Sequence, residues 1–65
     1  MQINEAKLAY YLTLKEKTQS QLAELTGVSR NTIYSIKKGR RCSDEAGNKI
    51  AKALGVDIAE LIEKR

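Results

Sequence analysis

The sequence predicts an all-α chain of five helices in a compact arrangement. Apolar residues recur at helical spacing along its whole length and never alternate as in a strand. Four of the five periodic segments open on a Ser, Thr or Asp that can cap a helix. Proline is absent from all 65 residues, so none of the segments carries a helix breaker.

The first helix is expected over 4–14, with Leu8, Tyr11 and Leu12 at i, i+3 and i+4. Its apolar residues run almost all round, Tyr10 and Leu14 included. The second is expected over 19–26, with Thr18 as N-cap and Gln21 completing a capping box. The third covers 30–38, capped by Ser29 and stopped by Gly39. The fourth covers 44–54. Ser43 caps it, Asp44 and Glu45 suit the positive end of its dipole, and Gly55 ends it. Its inward positions are Ala46, Ile50, Ala53 and Leu54, and close approach of another helix would account for Gly47 in its interior. The fifth starts after Asp57, uses Glu60 as a capping-box partner and buries Ile58, Leu61 and Ile62.

A chain of this length makes one domain, spanning 1–65, that buries only about 60% of its unfolded surface. Its single cysteine, Cys42, excludes an internal disulfide, and the lack of histidine argues against a structural zinc site. No metal, cofactor or small-molecule ligand is expected. No apolar run approaches the roughly 18 residues of a membrane span, and no leader pattern is present, so a soluble cytoplasmic location is expected.

The formal charge is +4, but its distribution is uneven. No acid falls from Leu25 to Ser43, while Arg30, Lys37, Lys38, Arg40 and Arg41 all do. An ordinary solvated face mixes signs; a one-sign segment suits a polyanion, most often nucleic acid.

That segment overlaps a pair of short helices joined by a few residues around Gly27, where a left-handed backbone is easiest for glycine. Ala23 is small where the pair must cross, and Val28 anchors the turn. Ile33 and Ile36 are the only large aliphatics of the third helix, roughly 60° apart on one face. Asn31, Tyr34, Ser35 and Lys38 fall in an opposing wedge about 100° wide, flanked by Arg30 and Lys37. A helix used only for packing would carry a wider apolar stripe. Two short helices with the second exposed and polar make a helix-turn-helix, within about 18–39. Such a helix fits the major groove, about 12 Å wide.

The stretch "TQSQLAELTGVSRNTIYSIKKG" resembles the helix-turn-helix of phage Cro and repressor proteins, the Xre-type family. The Gln opening the second helix, Ala23, the Gly27-Val28-Ser29 turn and the spacing of Ile33 and Ile36 carry the resemblance, and "GNKIAKALGVDIAELI" extends it. Many relatives have a Gly and an apolar residue where this chain has Glu16 and Lys17. The resemblance implies a lambda-repressor-like DNA-binding fold and a sequence-specific regulator of transcription. A repressor of a phage, plasmid or bacterial operon is the simplest form.

It also implies roles. Arg30, Asn31, Tyr34 and Ser35 stand at base-reading positions. Arg can take guanine O6 and N7 together, and Asn adenine N6 and N7. Arg30 could instead touch only phosphate, and Tyr34 could lie over the backbone. Gln19 matches a phosphate-contacting glutamine, and its place at a helix N-terminus suits an anion independently. Ser29 is first a cap, with a phosphate contact possible in addition. Lys37, Lys38, Arg40 and Arg41 are expected beside phosphates, where they fix register and supply salt-dependent affinity.

Enzyme chemistry is not expected, because the chain has no histidine, no glycine-rich phosphate loop and no acid pair beyond those at helix starts. The competing expectation is an antitoxin or other protein-interaction module on the same fold. By resemblance, two copies meet a near-palindromic operator, as a weak homodimer or a dimer formed on DNA. The candidate contacts are Ile58, Ile62 and Lys64, or Tyr10 and Leu14.

Overall fold

The structure is a computed structural model and describes residues 1–62. It contains α1 (Glu5–Leu14), α2 (Gln19–Thr26), α3 (Arg30–Lys37) and α4 (Asp44–Leu54), then a single 3-10 turn, Ile58–Glu60. Lys64 lies outside the described residues.

Local chemistry sets these boundaries. Asn4 Oδ1 accepts from the Lys7 amide, opening α1. At α2, Thr18 Oγ1 accepts from the Gln21 amide at 3.1 Å and Gln21 Oε1 from the Thr18 amide at 2.9 Å, which completes the expected capping box. Ser29 and Ser43 accept from Thr32 and Ala46 in the same way. Gly27 and Gly55 close α2 and α4 in the left-handed region. One further residue with positive φ is not glycine. Glu16 has φ 55°, at the position where the resemblance leads one to expect Gly. The left-handed conformation costs a residue with a Cβ roughly 1–2 kcal/mol.

The fifth helix is corrected to one 3-10 turn. Asp57 caps it, but Asp57 Oδ1 accepts from Ala59, two residues on. Glu60 does not act as a capping-box partner; its Oε1 instead accepts from the Tyr11 hydroxyl at 3.2 Å. Burial first, and then this carboxylate, raise the Tyr11 pKa above its ordinary value. The Leu61 carbonyl, which helix continuation would use, accepts from the Asn4 amide at 2.8 Å. Ile62 forms an antiparallel bridge with Ile3. Pairing with the N-terminal arm therefore takes the backbone groups that a fifth helix would need.

One core joins the elements: Leu8 and Leu12 from α1, Leu22 from α2, Ile33 and Ile36 from α3, Ile50, Ala51 and Leu54 from α4, with Ile3 and Leu61. No polar side chain is buried among the described residues. The α4 face runs through Gly47, Ile50, Ala51 and Leu54, so Ala51 takes the inward position and Ala46 and Ala53 sit half-buried beside it. Leu61 is fully buried, whereas Ile58 and Ile62 are half-buried. What Gly47 meets is the flexible side chain of the N-terminal arm and not another helix. The Met1 side chain fills the space a Cβ would take.

Candidate nucleic-acid interface

The α2–α3 turn is built by backbone conformation and one hydroxyl. Gly27 has φ 75° and open space around it, so its φ, not crowding, calls for glycine. Thr26 Oγ1 donates to the Leu22 carbonyl at 2.7 Å and accepts from the Val28 amide at 3.1 Å. This ties the last turn of α2 to the first residue after Gly27. Val28 then packs against the core, and Ser29 starts α3.

With Ile33 and Ile36 fully buried, α3 can present only its other side. Arg30, Asn31, Thr32, Tyr34 and Lys38 are exposed, and Ser35 and Lys37 are half-buried. α3 ends at Lys37, one residue before the sequence boundary, because Lys38 departs from helical geometry and Gly39 takes φ 92°. Arg40 and Arg41 are exposed in the segment that follows.

Two crevices flank α3. One, about 240 Å³, brings Asn31 and Ser35 together with Arg41, Cys42 and Ser43. The other, about 410 Å³, brings Tyr34, Lys37 and Lys38 together with Gln19 from the start of α2. The Lys38 ammonium lies 5.4 Å from the centre of the Tyr34 ring, a cation–π contact that holds both on the exposed side. Arg30 and Arg40 line neither crevice and project from the two ends of the helix segment. Ser29, the α3 cap, also lines neither, so the ten predicted site residues divide into two flanks and three outliers.

Three features of the site escape the sequence reading. The loop bearing Arg40 and Arg41 is tied down by the N-terminal arm: the Met1 amine donates to the Cys42 carbonyl at 2.7 Å, the Cys42 amide returns a bond to Met1, and Gln2 Nε2 donates to the Gly39 carbonyl. Cys42 lines the first crevice, half-buried, and burial pushes its thiol pKa above the ordinary value. Glu5 lines the second crevice. These contacts span more than thirty residues of sequence, so no local pattern could have announced them.

Among the described residues, no group of three or more His, Cys, Asp or Glu side chains could hold a metal ion. No helix there is long and apolar enough to cross a membrane.

The family model for the Cro/C1-type HTH DNA-binding domain matches residues 7–64. An uncharacterized HTH-type transcriptional regulator of Methanocaldococcus jannaschii is 46% identical over 56 residues, which covers 85% of each chain. Among solved structures, hydroxyethylphosphonate dioxygenase (a Y98F mutant) superposes with a TM-score of 0.86 at 25% identity. That match covers 98% of this chain but only 14% of the enzyme. The Streptomyces albus enzyme, with 2-hydroxyethylphosphonate and Fe(II) bound, gives a TM-score of 0.79 at 23% identity, over 86% of this chain and 13% of its own. The likeness to these enzymes is therefore to the fold of one small part of each.

Proposed function

The chain belongs to the Cro/C1-type helix-turn-helix DNA-binding family, and from that premise we propose that it is a sequence-specific regulator that binds double-stranded DNA and represses by occupying a promoter. One observation carries the reading. α3 buries only Ile33 and Ile36 and turns Arg30, Asn31 and Tyr34 outward, between two crevices that hold Gln19, Lys37, Lys38 and Arg41. In this reading Arg30, Asn31, Tyr34 and Ser35 face base edges in the major groove. Gln19, Ser29, Lys37, Lys38, Arg40 and Arg41 hold phosphates on either side. The chain works as a binding domain in the cytoplasm, without a cofactor and without catalysis, on a phage, plasmid or cellular operon.

One domain of this size reads few base pairs. Two copies on a near-palindrome, with half-sites about one helical turn apart, would extend the site. Of the two candidate contacts, Tyr10 and Leu14 on α1 are the better placed: both are more than half exposed, whereas Ile58 packs against the core and Ile62 bridges to Ile3.

Salt dependence tests the DNA reading. If about 6 phosphates are neutralised, log K falls against log salt with a slope of about −5 on the promoter region of the chain's own gene. Fluorescence anisotropy over a salt series measures it. A flat response would remove phosphate contact, and this function with it.

A further inference from the structure

The sequence keeps acids out of residues 25–43, yet the fold returns one to that segment. Glu5, at the first position of α1, lines the crevice formed by Gln19, Tyr34, Lys37 and Lys38. Gly39 shows how closely it approaches. A Cβ built on Gly39 would run into the Glu5 carboxylate, so that group lies against the backbone at the C-terminal end of α3. The Gln2 bond to the Gly39 carbonyl holds the arm before α1 to the same turn.

This position is not explained by stabilisation of the fold. The first turn of α1 favours an acid at position 5, but it does not require the carboxylate to lean across to Gly39. There the carboxylate meets the negative end of the α3 dipole, the less favourable end for an anion. Among the described residues it makes no hydrogen bond and no ion pair. The Lys38 ammonium sits over Tyr34 instead. Glu5 is thus a solvent-exposed anion without a partner in a crevice of cationic, amide and aromatic side chains.

We propose that Glu5 limits DNA affinity: its carboxylate competes with a backbone phosphate for the crevice between Gln19, Lys37 and Lys38. This rests on the DNA-binding reading above and adds an opposing charge to it. Non-specific binding is almost wholly electrostatic, so such a residue keeps it weak, and occupancy at working salt then needs the base contacts of α3 as well.

The test is Glu5→Gln, measured by anisotropy on a short random-sequence duplex and on the promoter duplex, across a salt series. Glu24→Gln is the control, the same change of charge at an exposed α2 position that lines neither crevice beside α3. Glu5→Gln is expected to bind both duplexes roughly 2–5-fold more tightly at low salt, with a slope steeper by about 1. Glu24→Gln is expected to change little. Should Glu5→Gln melt early, Glu5→Ser replaces it with the same gain expected, since serine also removes the carboxylate and is tolerated in a first helical turn. A folded Glu5 variant that binds no more tightly than wild type overturns the proposal, as does an equal gain from Glu24→Gln, which would reduce the effect to net charge. In either case a steep wild-type salt slope leaves the DNA-binding reading standing. A flat wild-type slope removes both.

Discussion

α1 and α3 each bury two large side chains, Leu8 and Leu12 in one, Ile33 and Ile36 in the other, yet their exteriors differ in kind. α1 turns Tyr10 and Leu14 to solvent at 59% and 54% exposure. α3 turns out Arg30, Asn31, Thr32 and Tyr34. The core asks the same of both helices, so it does not determine either exterior. What each shows to solvent is informative about what it meets. A polar, cationic face suits the groove of a duplex. An apolar face with an ordered aromatic suits protein, and Tyr10 is ordered by Tyr11, whose ring meets it edge-on at 5.0 Å.

The inward half of the comparison is the easiest to break. Leu8→Ala and Ile33→Ala should each cost about 2–5 kcal/mol, because both side chains have no exposed surface and leave a cavity when truncated. A domain this small rarely holds more than about 3–5 kcal/mol in its core, so either variant should be largely unfolded. Urea melts followed by far-UV circular dichroism would show it. If Leu8→Ala melts like wild type, α1 is an appendage and the two helices are not equivalent supports.

The outward face of α3 comes next in size. Arg30→Ala should lose about 1–3 kcal/mol and relax preference at one base pair, as expected for a lost two-bond contact to guanine. Arg41→Ala should weaken all sequences about equally, since a phosphate contact positions without reading. Competition with single-base variants of the promoter site separates them. Uniform loss in both would make Arg30 a phosphate contact, leaving Asn31, Tyr34 and Ser35 to read bases.

Much of this was legible in the sequence because it is local. Caps act over three residues, so Thr18, Ser29 and Ser43 marked the starts of α2, α3 and α4 without knowledge of the fold. Burial within one helix follows its period, which is why Ile33 and Ile36 were readable. Within α4 the period was misjudged by a residue, Ala51 and not Ala46 or Ala53 facing inward, but most of the failures are long-range. Asp57 looks like a helix start, but the Asn4 amide takes the Leu61 carbonyl and the chain bridges to Ile3 instead. Ile3 itself, nearly fully buried, lies in no periodic segment. Glu5 reads as an ordinary first-turn acid, and only the approach of Gly39 places it beside Lys37 and Lys38. The left-handed Glu16 shows another limit: residue type alone points away from a conformation that the loop path imposes.

The smallest effect on the fold should come from the exterior of α1, and that is what makes it a clean test. Replacing Tyr10 and Leu14 together by serine removes exposed apolar surface and the edge-on contact of Tyr10 with Tyr11 but no buried side chain, so the cost in stability should stay at about 1 kcal/mol. If the exterior of α1 serves only solvent, DNA binding should be indifferent to the change. If two copies meet through it, the double variant should bind a single half-site as wild type does and lose the advantage of a paired site, a coupling of about 1 kcal/mol. Titrations against duplexes carrying one and two half-sites measure that coupling directly, and sedimentation of the free protein reports whether pairing precedes DNA. Unchanged coupling in the double serine variant would break the outward half of the comparison. The apolar exterior of α1 would then be tolerated surface, and pairing would have to run through another face or through the DNA itself.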